Sequence, residues 1–284
     1  MAIITLTTDF GTKDHFVSAI KGAIHCELEY PIIVDISHEI SPFNIQECAY
    51  ILKNAYTHFP KGSIHIVGVD GEKTPENPHI VVFVDGHYFI SANTGVVHLI
   101  CTSIKPEKVV SIQLPHSEET AFPTLDIFVK VACHIVRGGT LDVIGKPFND
   151  LKELIDFKPK VDADERSIRG SVIYIDNYGN VVTNISKKLF IEVGKGRPYE
   201  IPLLQNRLQK KSNPIKNIWA KYSDIANSGK YPIKDYEGDK LAIFNEAGFL
   251  EIAIFRSNPM NVGSASSLLG LNYRDTITIQ FFNQ

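Results

Sequence analysis

Two hydrophobic periods alternate through the first half of this 284-residue sequence, and only one of them persists into the second. Ile3 to Thr7 is a short β-branched run of strand type, and Asp14 through Leu28 then places Phe16, Ile20, Ala23 and Ile24 on one helical face. Ile32 to Asp35 reads as a second strand and Asn44 through His58 as a second helix. Strands at Ser63 to Val69, Ile80 to Val84 and Tyr88 to Ser91 follow, the last two joined by the hairpin pair Asp85-Gly86. Strand, helix, strand, helix, strand requires parallel pairing through crossovers, hence an α/β domain. A further helix is predicted over Pro123 to Arg137, stopped by Gly138-Gly139.

After Gly145 the pattern changes. Residues 149–166 are charged, contain Pro159 and read as a linker. Beyond it strand signals dominate: Ser171 to Ile175, Val181 to Ile185, Lys240 to Phe244, Leu250 to Ile254 and Thr276 to Phe282, with Ser264 to Leu269 as the one short helix. The expected architecture is therefore a parallel-sheet α/β domain over residues 1–160 and a smaller antiparallel, barrel-like β domain over 161–284.

Several function classes are excluded at this level. A net charge of −3 without a basic face gives no nucleic-acid footprint, and the run Arg207, Lys210, Lys211, Lys216 reads as a solvated loop. No apolar stretch approaches the ~18 residues of a membrane span. The opening MAIITLTTDF has no basic leader, and Cys26, Cys48, Cys101 and Cys133 lie far apart in apolar contexts, as buried free thiols do. The expectation is a cytoplasmic protein.

Ligands in open parallel sheets sit beyond the carboxyl ends of the strands. Polar clusters fall at three such ends: Thr8-Asp9-Phe10-Gly11, Ser37-His38 and Asp70-Gly71. Asp9 is read as a ligand carboxylate able to accept two hydrogen bonds from a ribose diol, and Asp14 as the cap of the following helix. His38 is read as a structural hydrogen-bonder at a strand end. Phe43, after Pro42, is either a stacking platform or a hydrophobic staple for the second helix. Neither GxGxxG nor GxxxxGK[ST] is present, which argues against dinucleotide and nucleoside triphosphate cradles.

TTDFGTKD, VDISHEISPFNI, the strand ending in Asp70, SANTGVV, YIDNYGNVVTNI and LAIFNEAGFLEIAI, in collinear order from about residue 3 to 281, resemble the S-adenosylmethionine hydroxide adenosyltransferase family, which also contains fluorinases and chlorinases. The resemblance implies a homotrimer with interfacial sites. It also implies in-line displacement at ribose C5′ by water or halide with loss of methionine, and no metal or other cofactor. Carried onto this chain, Asp9 would hold the ribose hydroxyls and Phe43 would pack over the ligand. Asp176, with Tyr178 in the same segment, would bind the amino-acid portion, Asn180 would meet the adenine edge, and Tyr222 would stack on adenine. DNYGN is by composition also an ordinary turn.

The departures from the family pattern fall in the reacting part. Hydrolytic relatives use an aspartate, an arginine and a histidine to hold water. Asp70 matches the aspartate, but Asn77 stands at the arginine position and Pro123 at the histidine position. His79 and His116 are close in sequence but read as surface residues. Thr124, where halogenases keep a serine, either donates a hydrogen bond to the nucleophile or caps the helix. Glu246 replaces a serine that helps bind the methionine carboxylate, with Arg256 near enough in sequence to compensate. The sequence thus predicts an adenosine half that is intact and a methionine half that is altered. An adenosine-forming hydrolase acting through Asp70 competes with a retired nucleoside-binding module.

Overall fold

The computed structural model describes residues 2–101, 104–114, 120–154, 158–203, 213–227 and 232–282. His116, Arg207, Lys210 and Lys211 lie outside them, and Lys216 is exposed. The chain divides into two compact units, Met1–Ile155 and Asp156–Gln284.

The first unit opens with β1 (Ile3–Thr8), α1 (Phe16–Glu27), β2 (Ile32–Ser37), α2 (Ile45–Tyr56) and β3 (Ile64–Gly68). The hairpin β4 (His79–Val84) and β5 (His87–Ala92) follows, then α3 (Val96–Ile100) and β6 (Lys108–Ile112). A π-helical turn, Thr124–Phe128, runs into α4 (Val129–Val136), and α5 (Leu141–Ile144) and β7 (Gly145–Pro147) complete the unit. The sheet order is β2-β1-β3-β5-β4-β6-β7. Its first half is parallel, as the alternating periods require, and from β5 onward the pairs are antiparallel. β6 was not anticipated from the sequence. In the hairpin turn both Asp85 (φ 51°) and Gly86 (φ 71°) are left-handed, as a two-residue connection with matching twist demands.

The two-residue period of the strands divides the core between the two faces. Ile4, Leu6, Ile64, Ile66, Val81 and Ile90 pack with Ile20 and Ile24 of α1 and with Val129 and Cys133 of α4. Val67, Ile80, Val82, Val84 and Phe89 face Cys48 and Leu52 of α2 and Val96 and Ile100 of α3. Each fully buried branched side chain contributes about 1.5–3 kcal/mol. Three of the four free cysteines are buried, but Cys26 is exposed, because it lies across α1 from the Ile20–Ile24 stripe. Asp14 does not cap α1: the cap position is His15, whose side chain makes no capping bond.

The second unit contains β8 (Lys160–Val161), β9 (Ser167–Ile175), β10 (Val181–Ser186), α6 (Lys187–Gly194), β11 (Tyr199–Glu200), β12 (Ile218–Trp219), β13 (Lys240–Phe244), β14 (Phe249–Ile254), α7 (Ala265–Leu269) and β15 (Thr276–Phe281). They form a curled sheet in the order β11-β15-β9-β10-β14-β13-β12, with β8 beside β9. All pairs are antiparallel except β12 with β13. The eight-residue α6 departs from the sequence reading, which allowed this half only one short helix. Ser186 caps it by accepting from Leu189 N at 3.1 Å, and left-handed Lys195 ends it. Among the described residues no helix is long and apolar enough to cross a membrane.

Candidate functional site

β1 pairs in parallel with both β2 and β3, so the three strand ends predicted to carry ligand groups lie side by side. His38 ties two of them together. Its Nδ1 is 2.8 Å from Thr8 Oγ1, its carbonyl accepts from Gly11 N at 2.7 Å, and its Nε2 lies 3.1 Å from Asp35 Oδ1. It is buried and structural, as expected. Burial would raise the Asp35 carboxyl, but hydrogen bonds from Lys21 and His38 outweigh it and hold the group below its ordinary value.

A cleft of about 380 Å³ opens at these ends, lined by Asp9, Phe10, Phe43, Gly68, Asp70, Gly71, Glu72 and the segment Ala121 to Thr124. Its described walls carry three carboxylates and no basic side chain. Asp9 Oδ2 accepts a hydrogen bond from Phe43 N at 2.9 Å, which joins the residue expected to hold the ribose hydroxyls to the one expected to pack over the ligand. Phe43 adopts φ 62°, a conformation non-glycine residues rarely take, and its side chain is 72% exposed. That exposure removes the staple reading, since a staple packs against its helix. α2 is capped instead by Asn44, whose Oδ1 accepts from Glu47 N, while Glu47 Oε2 accepts from Ser41 N and Asn44 Nδ2. The loop is thus held from both sides with its aromatic ring in the open.

The opposite wall is the π-helical turn. Thr124 is 1% exposed and is not the cap, a position taken by Pro123. A Cβ on Gly68 would lie 3.0 Å from Thr124 Oγ1 and Cγ2, tight enough that any side chain there would press β3 against this turn. Phe122 packs on Phe10 and Phe16 at centroid separations of 5.5 and 5.4 Å, a rigid aromatic wall that sequence reading missed. Glu72 was missed as well. Asp70 is left-handed at φ 47°. Asn77 does not line the cleft: it closes the Thr74–Asn77 turn, and its Oδ1 accepts from Lys152 Nζ at 2.9 Å. His79, expected at the surface, is instead 1% exposed, because it opens β4 with its ring edge-on to Phe128.

The second unit gathers the remaining predicted residues. Asp176 follows β9 directly, and its Oδ1 accepts from Tyr178 N (2.9 Å) and Asn180 N (2.8 Å) while Oδ2 accepts from Asn180 Nδ2 at 3.0 Å. The turn reading of DNYGN therefore holds, and it leaves Oδ2 able to accept one more bond. Gly179 lies against Ser264, where a Cβ would fall 2.2 Å from Oγ. Tyr178 is exposed.

Tyr222 donates to Glu251 Oε1 at 2.5 Å, and Asn245 Nδ2 donates to Oε2 at 3.3 Å. Glu251 is 3% exposed within the apolar strand FLEIAI, and a charge in such a run was the signal available for it. Burial, then the charges of Asp176 and Glu246, hold its carboxyl above the ordinary range despite the two hydrogen bonds. Burial and the Glu246 charge likewise raise Asp176. Burial and Glu251 push Tyr222 up. These mutual effects place Asp176, Tyr222, Glu246 and Glu251 in one acidic cluster. Arg256 is not its counter-charge: it pairs with Glu237 at 3.0 Å.

Comparison with known proteins agrees with this division. The family described as SAM hydroxide adenosyltransferase N-terminal domain matches residues 4–145, and its C-terminal counterpart matches 170–278. The (R)-S-adenosyl-L-methionine hydrolase of Methanocaldococcus jannaschii is 31% identical over 98% of this chain and 95% of its own, and the protein of that name from Thermus thermophilus is 24% identical over 95% and 96%. The crystal structure of an uncharacterized conserved protein from Thermotoga maritima superposes with a TM-score of 0.78 at 27% identity, covering 98% of this chain and all of that one. Both matched halves and the 31% identical relative over nearly the full length make this chain a member of the SAM hydroxide adenosyltransferase family.

Proposed function

We propose that this protein hydrolyses S-adenosylmethionine to adenosine and methionine. The observation that carries the reading is a cleft that combines Asp9, Asp70 and Thr124 with aromatic walls and, among the described residues, no basic side chain. Such a lining suits a sulfonium cation and a water nucleophile. A halide would be repelled by the Asp70 carboxylate by about 4 kcal/mol at ~4 Å and an effective dielectric of ~20.

Asp9 accepts from the ribose hydroxyls with its free oxygen capacity, and Phe43 covers the sugar. Asp70 accepts a hydrogen bond from water and Thr124 donates one, which aims a lone pair at C5′. The oxygen–C5′ bond forms as the C5′–sulfur bond breaks. Its electron pair neutralises the sulfonium, and the water proton leaves through Asp70 to solvent. Methionine departs as a neutral thioether, so the reaction needs no metal or other cofactor. Catalysis is positioning and exclusion of bulk water. In the second unit Asp176 takes the ligand amino group, Tyr222 and Asn180 take adenine, and Tyr178 and Glu246 border the amino-acid end. We further propose a cytoplasmic homotrimer in which a neighbouring copy supplies the C-terminal residues.

Incubation with S-adenosylmethionine should release adenosine. Asp70→Ala should cut the rate at least about 100-fold while calorimetric adenosine affinity persists, whereas Asp9→Ala should lose that affinity. Binding without release by the wild-type protein would instead identify a retired nucleoside-binding module.

A further inference from the structure

The cleft has a buried support whose place its sequence neighbours did not reveal. His79 opens β4, is 1% exposed, and its Nε2 lies 3.0 Å from the carbonyl oxygen of Gly71. A carbonyl only accepts, so Nε2 carries the proton and Nδ1 of the neutral ring does not. Nδ1 is buried and has no hydrogen-bond partner among the described residues. The ring stands edge-on to Phe128 at 4.9 Å, in the same π-helical turn as Thr124. Gly71 approaches that turn too: a Cβ there would meet Thr124 Oγ1 at 3.4 Å and Phe128 Cε2 at 3.8 Å.

One imidazole therefore contacts both elements that carry the reacting groups. Asp70 sits immediately before Gly71 in a left-handed conformation, so the Gly71 carbonyl and the Asp70 carboxylate belong to one turn. We propose that His79 is a positioning residue: its Nε2–H anchors the Gly71 carbonyl, and the anchor fixes the Asp70 carboxylate opposite Thr124. Burial, supplemented by the nearby Lys73 charge, outweighs the Gly71 bond and holds the imidazole below its ordinary pKa, in keeping with a neutral donor.

The kinetic consequence rests on the hydrolase reading, but the structural one does not, and the test separates them. Crystal structures of ligand-free wild type, His79→Leu and His79→Gln are compared, together with kcat and KM for adenosine release. In His79→Leu the Asp70–Gly71 turn should move by about 1 Å and kcat should fall about 10–100-fold with KM within about twofold. His79→Gln keeps an N–H near the same place and should restore the turn and most of kcat, a rescue that general loss of packing would not show. An unmoved Asp70 in His79→Leu, or a His79→Gln protein as impaired as His79→Leu, overturns the proposal. If wild type releases no adenosine, the hydrolase reading falls and the position of Asp70 in the variants alone decides. If His79→Leu does not fold, His79→Gln decides: a displaced turn in it refutes the anchor.

Discussion

Gly68→Ala tests whether the close approach of β3 to the π-helical turn sets the geometry of the cleft. The added methyl would lie 3.0 Å from both Oγ1 and Cγ2 of Thr124 and 3.1 Å from Cγ2 of Thr8. Carbon atoms pack at about 3.5–4.0 Å, so the gap must widen by roughly half an ångström. Neither neighbour can turn aside, because Thr8 and Thr124 are both buried and β-branched. Overpacking of this kind costs about 1–3 kcal/mol. The displacement falls on Thr124, so catalysis should suffer as well. A 1 Å misplacement costs about 100-fold, and half of that about tenfold. Thermal melts and initial rates of adenosine release from S-adenosylmethionine measure the two effects, and Thr124→Ser, which removes one of the clashing atoms, should restore part of the lost stability when combined with Gly68→Ala. A Gly68→Ala protein as stable and as active as wild type would refute the idea that this contact places Thr124.

Two further predictions concern buried titratable groups. His65 bonds Thr5 Oγ1 through Nδ1 (2.7 Å) and His87 Nδ1 through Nε2 (3.1 Å), and burial holds it down at about 3. Its folded value is below the unfolded one, so its contribution is complete above pH ~6.5 and is lost as the pH falls toward 3. By pH 5 the loss from this residue is about 2 kcal/mol, and denaturant titrations should show a shallower pH dependence in His65→Gln; equal slopes would contradict the assignment. Tyr222→Phe removes a donor from buried Glu251 and should cost about 1–3 kcal/mol. The Glu251 carboxyl is raised, so its charged form is the disfavoured one in the fold. The Tyr222→Phe penalty should therefore be larger at pH 8 than at pH 5, and a penalty independent of pH would exclude the bond.

Local periodicity carried most of the fold. Apolar residues two apart in the strands and three or four apart in α1 and α2 show which faces must be buried, whatever the rest of the chain does. Asp85-Gly86 marks its turn because few residues other than asparagine, aspartate and glycine tolerate left-handed backbone. The same logic placed Asp9 and Asp70 at the ends of adjacent strands, where both were found. α6 escaped because its eight residues bury only one narrow stripe around Val193, too short for periodicity to stand out.

What periodicity cannot supply is the partner of a polar side chain. His79 and Asn77 are two residues apart, yet His79 supports the Gly71 carbonyl in the core while Asn77 is drawn outward to Lys152. Pro123 stands where the resemblance implies a histidine, but only the fold shows that the next residue, Thr124, lies against Gly68 from a distant part of the chain. Glu251 joins the acidic cluster only through the hydrogen bonds that Tyr222 and Asn245 make to it. Burial patterns are written along the chain because each residue's solvent exposure repeats with its element. Hydrogen bonds between distant residues depend on how those elements dock, and that is decided by packing of the whole unit.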